Sequence, residues 1–442
     1  MKSGKKDASG VFGVGGWLER RAEWWAWGVL GVVLGAAALR IAYRVPDGGM
    51  DNAIVVRAAE AWLDGRSPYA DRHFLYLPGA VLAAVPQAVF PGVARVLVPV
   101  GVVGALASGW FCALRIHGVA WGSRFAVLGL LGLVLGFAPF VHLVELGNWT
   151  VASALALPVA LLCVCRGRWV VAGAVIGVAV SVKPLLVPVL LLFVFARKWR
   201  ALGVAVAVPV VVSVLAALVL PDPGAFFTRT LPFLLRGEDR FVRLYEASPA
   251  AVLPRVGVPV VVASLLSGVG ACAGVWCAWR RWLAGGPAAG RVVEVAAALM
   301  LAAFLVSRPS YDHYLLVVLP LLLAGGLGAG ASVVRVPWFW VALVPQVPGF
   351  VWVGVEALPQ RAFKDAFTLC VLAAVVFWWC ASAGRRRGPC RGLPGPAPSR
   401  RTDQRLRRGQ GLPPLGPAVG APRLVLKLPQ ALKEQGGTPT TG

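Results

Sequence analysis

Four groups of side chains in this sequence have a type and setting that could do chemistry: Asp51, Lys183, the neighbouring Asp312 and His313, and the pair Glu145 and Asn148. Asp51 opens the stretch DNAIVVRAAEAWLDG, which has helical periodicity. At about 100° per residue, Ile54, Val55, Ala58, Ala59, Trp62 and Leu63 share one face, and Arg57, Glu60 and Asp64 share the opposite one. If the helix begins at or before residue 51, Asp51 points with the apolar face, where a carboxylate is placed to accept a proton from a hydroxyl. The same residue could instead be the N-cap that satisfies the first free N–H groups. Lys183 lies between two apolar runs, VAGAVIGVAVSV and PLLVPVLLLFVF, and Pro184 forbids a continuous helix there. An ammonium at a helix break inside an apolar region suits an anion such as phosphate. The alternative is a lysine that snorkels from a helix end. Asp312 and His313 occur in SRPSYDHY, with Arg308 four residues earlier. A cation, a carboxylate and an imidazole on one turn could hold a phosphodiester or position a hydroxyl, or simply form a solvated cap. Glu145 and Asn148, in VELGNWT, read by themselves as a solvated loop.

The remaining histidines, His73, His117 and His142, have no partner at metal-ligand spacing. Neither HExxH nor a P-loop nor a GxGxxG in suitable context is present. Seven of the eight cysteines lie within apolar helical stretches, where a thiol acts as a small hydrophobe, and only Cys390 is in a polar segment. The expectation is a site without metal or cofactor.

These residues must be positioned by a membrane-embedded helical scaffold. Of 442 residues, 58% are hydrophobic and 14% charged, too few charges to wet the surface of a soluble domain of this length. Apolar runs reach spanning length, and they are continuous or helix-periodic rather than alternating as in a membrane barrel. The net charge of +24 is spread over clusters between apolar segments, at Arg166/Arg168, Arg197/Lys198/Arg200, Arg280/Arg281 and Arg385–Arg387. That is the positive-inside pattern, so the charge reports topology and not a nucleic-acid partner.

Thirteen apolar segments can be marked between residues 24 and 383. Basic residues at both ends of the chain place both termini inside and require an even number of crossings, so one segment must be partial. The segment 75–91, interrupted by Pro78, Pro86 and Pro91, is expected to be that one. The resulting expectation is an all-α polytopic membrane protein of about twelve transmembrane helices. It has a short cytoplasmic segment 1–23 and two large outer loops, 44–74 and 221–256. The helix in the first of these is amphipathic and expected on the outer leaflet. Residues 384–442 hold twelve basic residues against two acidic ones, are rich in Pro and Gly, and are expected to form a disordered cytoplasmic tail. By this topology all four polar groups face the extracytoplasmic side.

An ordered set of short motifs adds a resemblance. Asp51…Ala58-Ala59…Leu63-Asp64-Gly65-Arg66-Ser67-Pro68-Tyr69, then Phe74-Leu75-Tyr76-Leu77-Pro78, resembles the first outer loop of glycosyltransferase family 87. The resemblance continues at Gly147-Asn148, at Ala172-Gly173…Gly177…Lys183-Pro184 before Arg197-Lys198-Trp199-Arg200-Ala201, and at Ser310-Tyr311-Asp312-His313, and it spans about residues 24–383. Members are polytopic enzymes of the GT-C superfamily that use polyprenyl-phosphate sugars, among them mannosyl- and arabinofuranosyltransferases. The resemblance implies a GT-C-like bundle in the plasma membrane, a polyprenyl-phosphate sugar donor and an extracytoplasmic glycan or glycolipid acceptor. It further implies a catalytic base at Asp51 and transfer with inversion. Lys183 and His313, with Asp312, Tyr69, Tyr76 and Asn148, would handle donor phosphate and substrate. Many members have Gln where this chain has Asn148. A transporter or lipid flippase without chemistry is the competing reading; it would call for a second broken helix matching the one at 183–184.

Overall fold

The computed structural model describes residues 14–45, 48–236, 245–328, 332–353 and 357–384. They belong to one compact unit, 1–387; the expected tail, 384–442, lies outside the described residues save its first, as do the opening of the N-terminal segment and Asp47.

All described regular secondary structure is helical, apart from a single isolated bridge between Arg21 and Ser123. The helices are α1 (Val14–Glu19), α2 (Trp24–Arg44), α3 (Met50–Leu63), α4 (Pro78–Val89), α5 (Pro91–Ile116), α6 (Arg124–Gly136), α7 (Ala138–Leu146), α8 (Thr150–Cys165), α9 (Trp169–Val182), α10 (Leu190–Phe195), α11 (Trp199–Ala217), α12 (Leu231–Arg236), α13 (Pro249–Val252), α14 (Val260–Leu283), α15 (Ala288–Val306), α16 (Leu319–Ala324), α17 (Pro337–Leu343) and α18 (Ala357–Ala381). Short 3-10 turns fill several breaks, notably Pro184–Val189 and Asp312–Val317.

Six described helices have the length and apolar composition of a full crossing: α2, α5, α11, α14, α15 and the Gln360–Ala381 part of α18. The bent pair α6 and α7, which meet at 71°, would make a seventh if it forms one span. The other apolar segments include shorter helices, Pro78–Val89, Thr150–Cys165, Trp169–Val182 and Pro184–Phe195, set apart by Pro and Gly at or near their ends. The segment expected to be partial is α4, whose 12 residues extend about 18 Å against a hydrocarbon core of about 30 Å.

At the centre stands α15, apolar on every side and buried through most of its length, as a helix without a polar face must be. Its one carboxylate, Glu294, is paired with Arg281 of α14 and accepts the Trp379 indole N–H at 2.8 Å, which satisfies a charge that burial would otherwise penalise. In contrast, α11 is mostly exposed and shows valines and leucines outward, as a lipid-facing helix does.

The amphipathic helix α3 differs from the expectation in what covers its apolar face. Val55, Ala58 and Ala59 are buried in a cluster with Ala80, Val81 and Ala84 of α4 and Ala216 of α11. Its partner there is protein rather than the leaflet. An apolar stripe demands an apolar neighbour, and lipid and side chains satisfy it equally.

Candidate active site

Helix α3 begins at Met50, with Gly49 as its N-cap and Asp51 as its second residue. Asp51 is therefore not the cap. Its carboxylate accepts a hydrogen bond from Asn148 Nδ2, and it lines a cavity of about 730 Å³.

That meeting of residues 97 apart depends on backbone contact. Gly48, Gly49 and Gly147 all have positive φ, at 68°, 105° and 57°. A Cβ on Gly49 would lie 2.2 Å from the Leu146 carbonyl carbon, and one on Gly147 would lie 2.0 Å from the Gly48 oxygen. Only glycine permits both the left-handed turns and the approach of the α3 start to the α7 end. The Trp149 indole adds a tie to Asn52 Oδ1 at 3.2 Å.

Asn148 is buried and continues the chain of contacts. Its Oδ1 accepts from the Thr150 N–H at 2.8 Å, where α8 starts, and from Lys183 Nζ at 2.8 Å. Lys183 is the residue at which α9 breaks before Pro184, as the sequence implied. Its ammonium also donates to Thr150 Oγ1 at 2.8 Å and lies 5.5 Å and 5.0 Å from the ring centres of Tyr76 and Tyr314. Gly79 lets this happen: a Cβ there would lie 2.5 Å from the Ser181 oxygen, so α4 abuts the end of α9 and brings Tyr76 over Lys183. Burial first, and then the nearby Asp51 carboxylate, push the Tyr76 phenol well above its usual range, so it stays neutral.

A second wall comes from the loop and 3-10 turn after α15. Asp312 is buried; its Oδ1 accepts the His313 N–H at 2.8 Å and sits 3.3 Å from His313 Nδ1. Its Oδ2 pairs with His142 Nδ1 of α7 and lies 3.6 Å from Arg361 Nη2 of α18. The His313 ring stacks on Tyr311 with centroids 5.4 Å apart and lines the cavity, and its buried Nε2 has no hydrogen-bond partner among the described residues. Among the described lining residues Asp51 is the one carboxylate, against Arg57, Lys183, Arg308 and Arg361. Such a cavity favours an anionic ligand and offers one base beside it.

A family model described as glycosyltransferase family 87 matches residues 74–307, just over half of the chain. The chain belongs to glycosyltransferase family 87. No curated protein and no solved structure matches the chain. A membrane glycosyltransferase of family 87 displaces the reading as a transporter without chemistry. The match contains Tyr76, Asn148 and Lys183, whereas Asp51, Tyr69, Asp312 and His313 lie outside it and join the picture through sequence motif and geometry.

Within this family 87 chain the structure brings together some of the candidate residues and sets others apart. Tyr69 is buried against Phe74 and Phe226, at centroid distances of 5.3 Å and 5.8 Å, and is not among the cavity's lining. It packs the first loop instead, where burial raises its phenol well above the usual range. Of the pair read as a solvated loop, Glu145 is exposed and outside the lining, whereas Asn148 is buried. Arg308 does not share a turn with Asp312; it sits in the irregular link after α15, its guanidinium 3.4 Å from the Ala250 carbonyl and 3.3 Å from Ser264 Oγ. The cation beside Asp312 is Arg361 of α18, a residue that no sequence motif singled out. His142, with no partner at ligand spacing in the sequence, pairs with Asp312, 170 residues away. Arg57 is exposed, as its position opposite the apolar face of α3 implies, and it also lines the cavity.

Proposed function

We propose that this family 87 enzyme transfers a hexose, with mannose the leading candidate, or an arabinofuranose from a polyprenyl phosphate to a hydroxyl of an extracytoplasmic glycan or glycolipid. The observation that carries the reading is one cavity in which a single amide, Asn148, touches a carboxylate with one end and an ammonium with the other. A sugar hydroxyl attacks an anomeric carbon slowly unless its proton is taken as the bond forms. Asp51 takes that proton. The acceptor oxygen bonds to the anomeric carbon from the face opposite the departing phosphate oxygen, so the configuration inverts. The electron pair of the broken C–O bond leaves on the polyprenyl phosphate, whose charge is held by Lys183 with His313 and the cavity arginines. The positive-inside clusters favour a plasma-membrane enzyme with this cavity on the outer side and both termini in the cytoplasm.

The test is transfer from labelled polyprenyl-phosphate mannose and polyprenyl-phosphate arabinose to a lipid extract, in membranes carrying wild type or Asp51→Asn. The asparagine preserves size. Loss of about 10²–10⁴-fold in turnover with retained donor binding is expected for removal of a base. Near wild-type turnover by Asp51→Asn would refute the assignment.

A further inference from the structure

We propose that Asn148 is a positioning residue that holds the base and the phosphate cation at a fixed separation and keeps them from pairing with each other; this rests on the function proposed above. The orientation of its amide is decided by its neighbours. Both groups that approach Oδ1, the Thr150 N–H and the Lys183 ammonium, are obligate donors, each at 2.8 Å. Oδ1 is thereby filled, and Nδ2 must face Asp51, a carboxylate that can only accept when ionised. Asp51 and Lys183 make no direct ion pair; each meets the other through the amide.

The consequence for both partners follows from counting protons. Two N–H groups of Lys183 are spent on Asn148 and Thr150, which fixes the ammonium between the Tyr76 and Tyr314 rings and leaves its third proton for a ligand. On Asp51 one oxygen is anchored by the amide, and the other is left to accept the acceptor's proton. A direct Asp51–Lys183 pair would instead tie up the base and the cation together, and neither would meet substrate. Asn148 is itself placed by the left-handed Gly147 before it and by the start of α8 after it, so its reach is set by backbone and not by a flexible side chain.

The experiment compares wild type, Asn148→Ala, Asn148→Gln and Asp51→Asn as full-length enzyme in nanodiscs, with whichever of polyprenyl-phosphate mannose or arabinose the wild type turns over. Asn148→Ala is expected to lose about 10²-fold in kcat, the scale of a misplaced catalytic group, and to raise donor KM as well, because the Lys183 ammonium is released together with the base. Asn148→Gln, which restores an amide, is expected to recover at least tenfold of that loss. A purely structural role would lower the amount of folded enzyme and leave kcat per folded molecule unchanged, and Gln would then give no recovery in kcat. Full activity of Asn148→Ala beside an inactive Asp51→Asn overturns the positioning role while the base stands. An active Asp51→Asn, or turnover of neither donor by wild type, removes the underlying function and this inference with it.

Discussion

The two walls of the cavity use the same residue type in opposite ways. On one wall Asp51 is partly exposed to the cavity, touched by a neutral amide, and is free to meet substrate. On the other, Asp312 is buried, flanked by His142, His313 and Arg361, and reaches the cavity through His313 and Arg361, which line it. Burial divides the roles: an open carboxylate exchanges a proton with a ligand, and an enclosed one orients its neighbours. The walls also differ in how they are built. The first is a backbone-to-backbone contact that requires glycine at three positions, and the second is a side-chain cluster around one charge.

If the walls are as distinct as this, substitutions should separate them. After Asp51→Asn, the largest loss belongs to the cation of the first wall. Lys183→Ala should raise donor KM about 10²-fold, as removal of a buried, hydrogen-bonded charge does. Lys183→Arg should keep part of the affinity, since charge persists with altered geometry. In a background without native cysteines, Lys183→Cys should react with an impermeant thiol reagent from outside only; labelling from the cytoplasmic side alone would move the site to the other face of the membrane.

On the second wall, Asp312→Asn should cost about tenfold in turnover by releasing His313, and the double variant with His313→Ala should be no worse than His313→Ala alone. Losses that multiply instead would mean that Asp312 acts independently of the imidazole. Gly147→Ala addresses construction rather than chemistry. A Cβ 2.0 Å from the Gly48 oxygen, on a left-handed residue, should lower the melting temperature in detergent and reduce activity in proportion to the folded enzyme lost. An unchanged melting temperature would show that the two segments are not held as closely as described. The smallest effects are expected away from both walls. Glu60→Gln and Asp64→Asn should each leave membrane transfer within about twofold, the range of substitutions that touch no buried charge or packed core; Tyr69→Phe, which keeps the packed ring, and truncation after Gly384 are expected to do the same. Tyr69 qualifies because its hydroxyl reaches only a long 3.5 Å contact to the Tyr76 carbonyl.

The sequence by itself determined the solvent of this protein and the places where its helices break. Composition required a membrane, the spacing of Lys and Arg gave a topology to test, and Lys183-Pro184 marked an interruption that α9 observes. The pattern of α3 was also legible, because a helix period survives in the order of residues whatever the helix packs on. Tertiary structure alone decided what covers that face, and which polar groups meet. Asp51 with Asn148, Asn148 with Lys183 and Asp312 with His142 are pairs separated by 97, 35 and 170 residues. Arg361, 49 residues beyond Asp312, carries no motif that would pair it with that carboxylate. No local pattern encodes such meetings. They arise where glycines let distant backbones touch and where buried charges, once removed from water, must find partners wherever the fold supplies them.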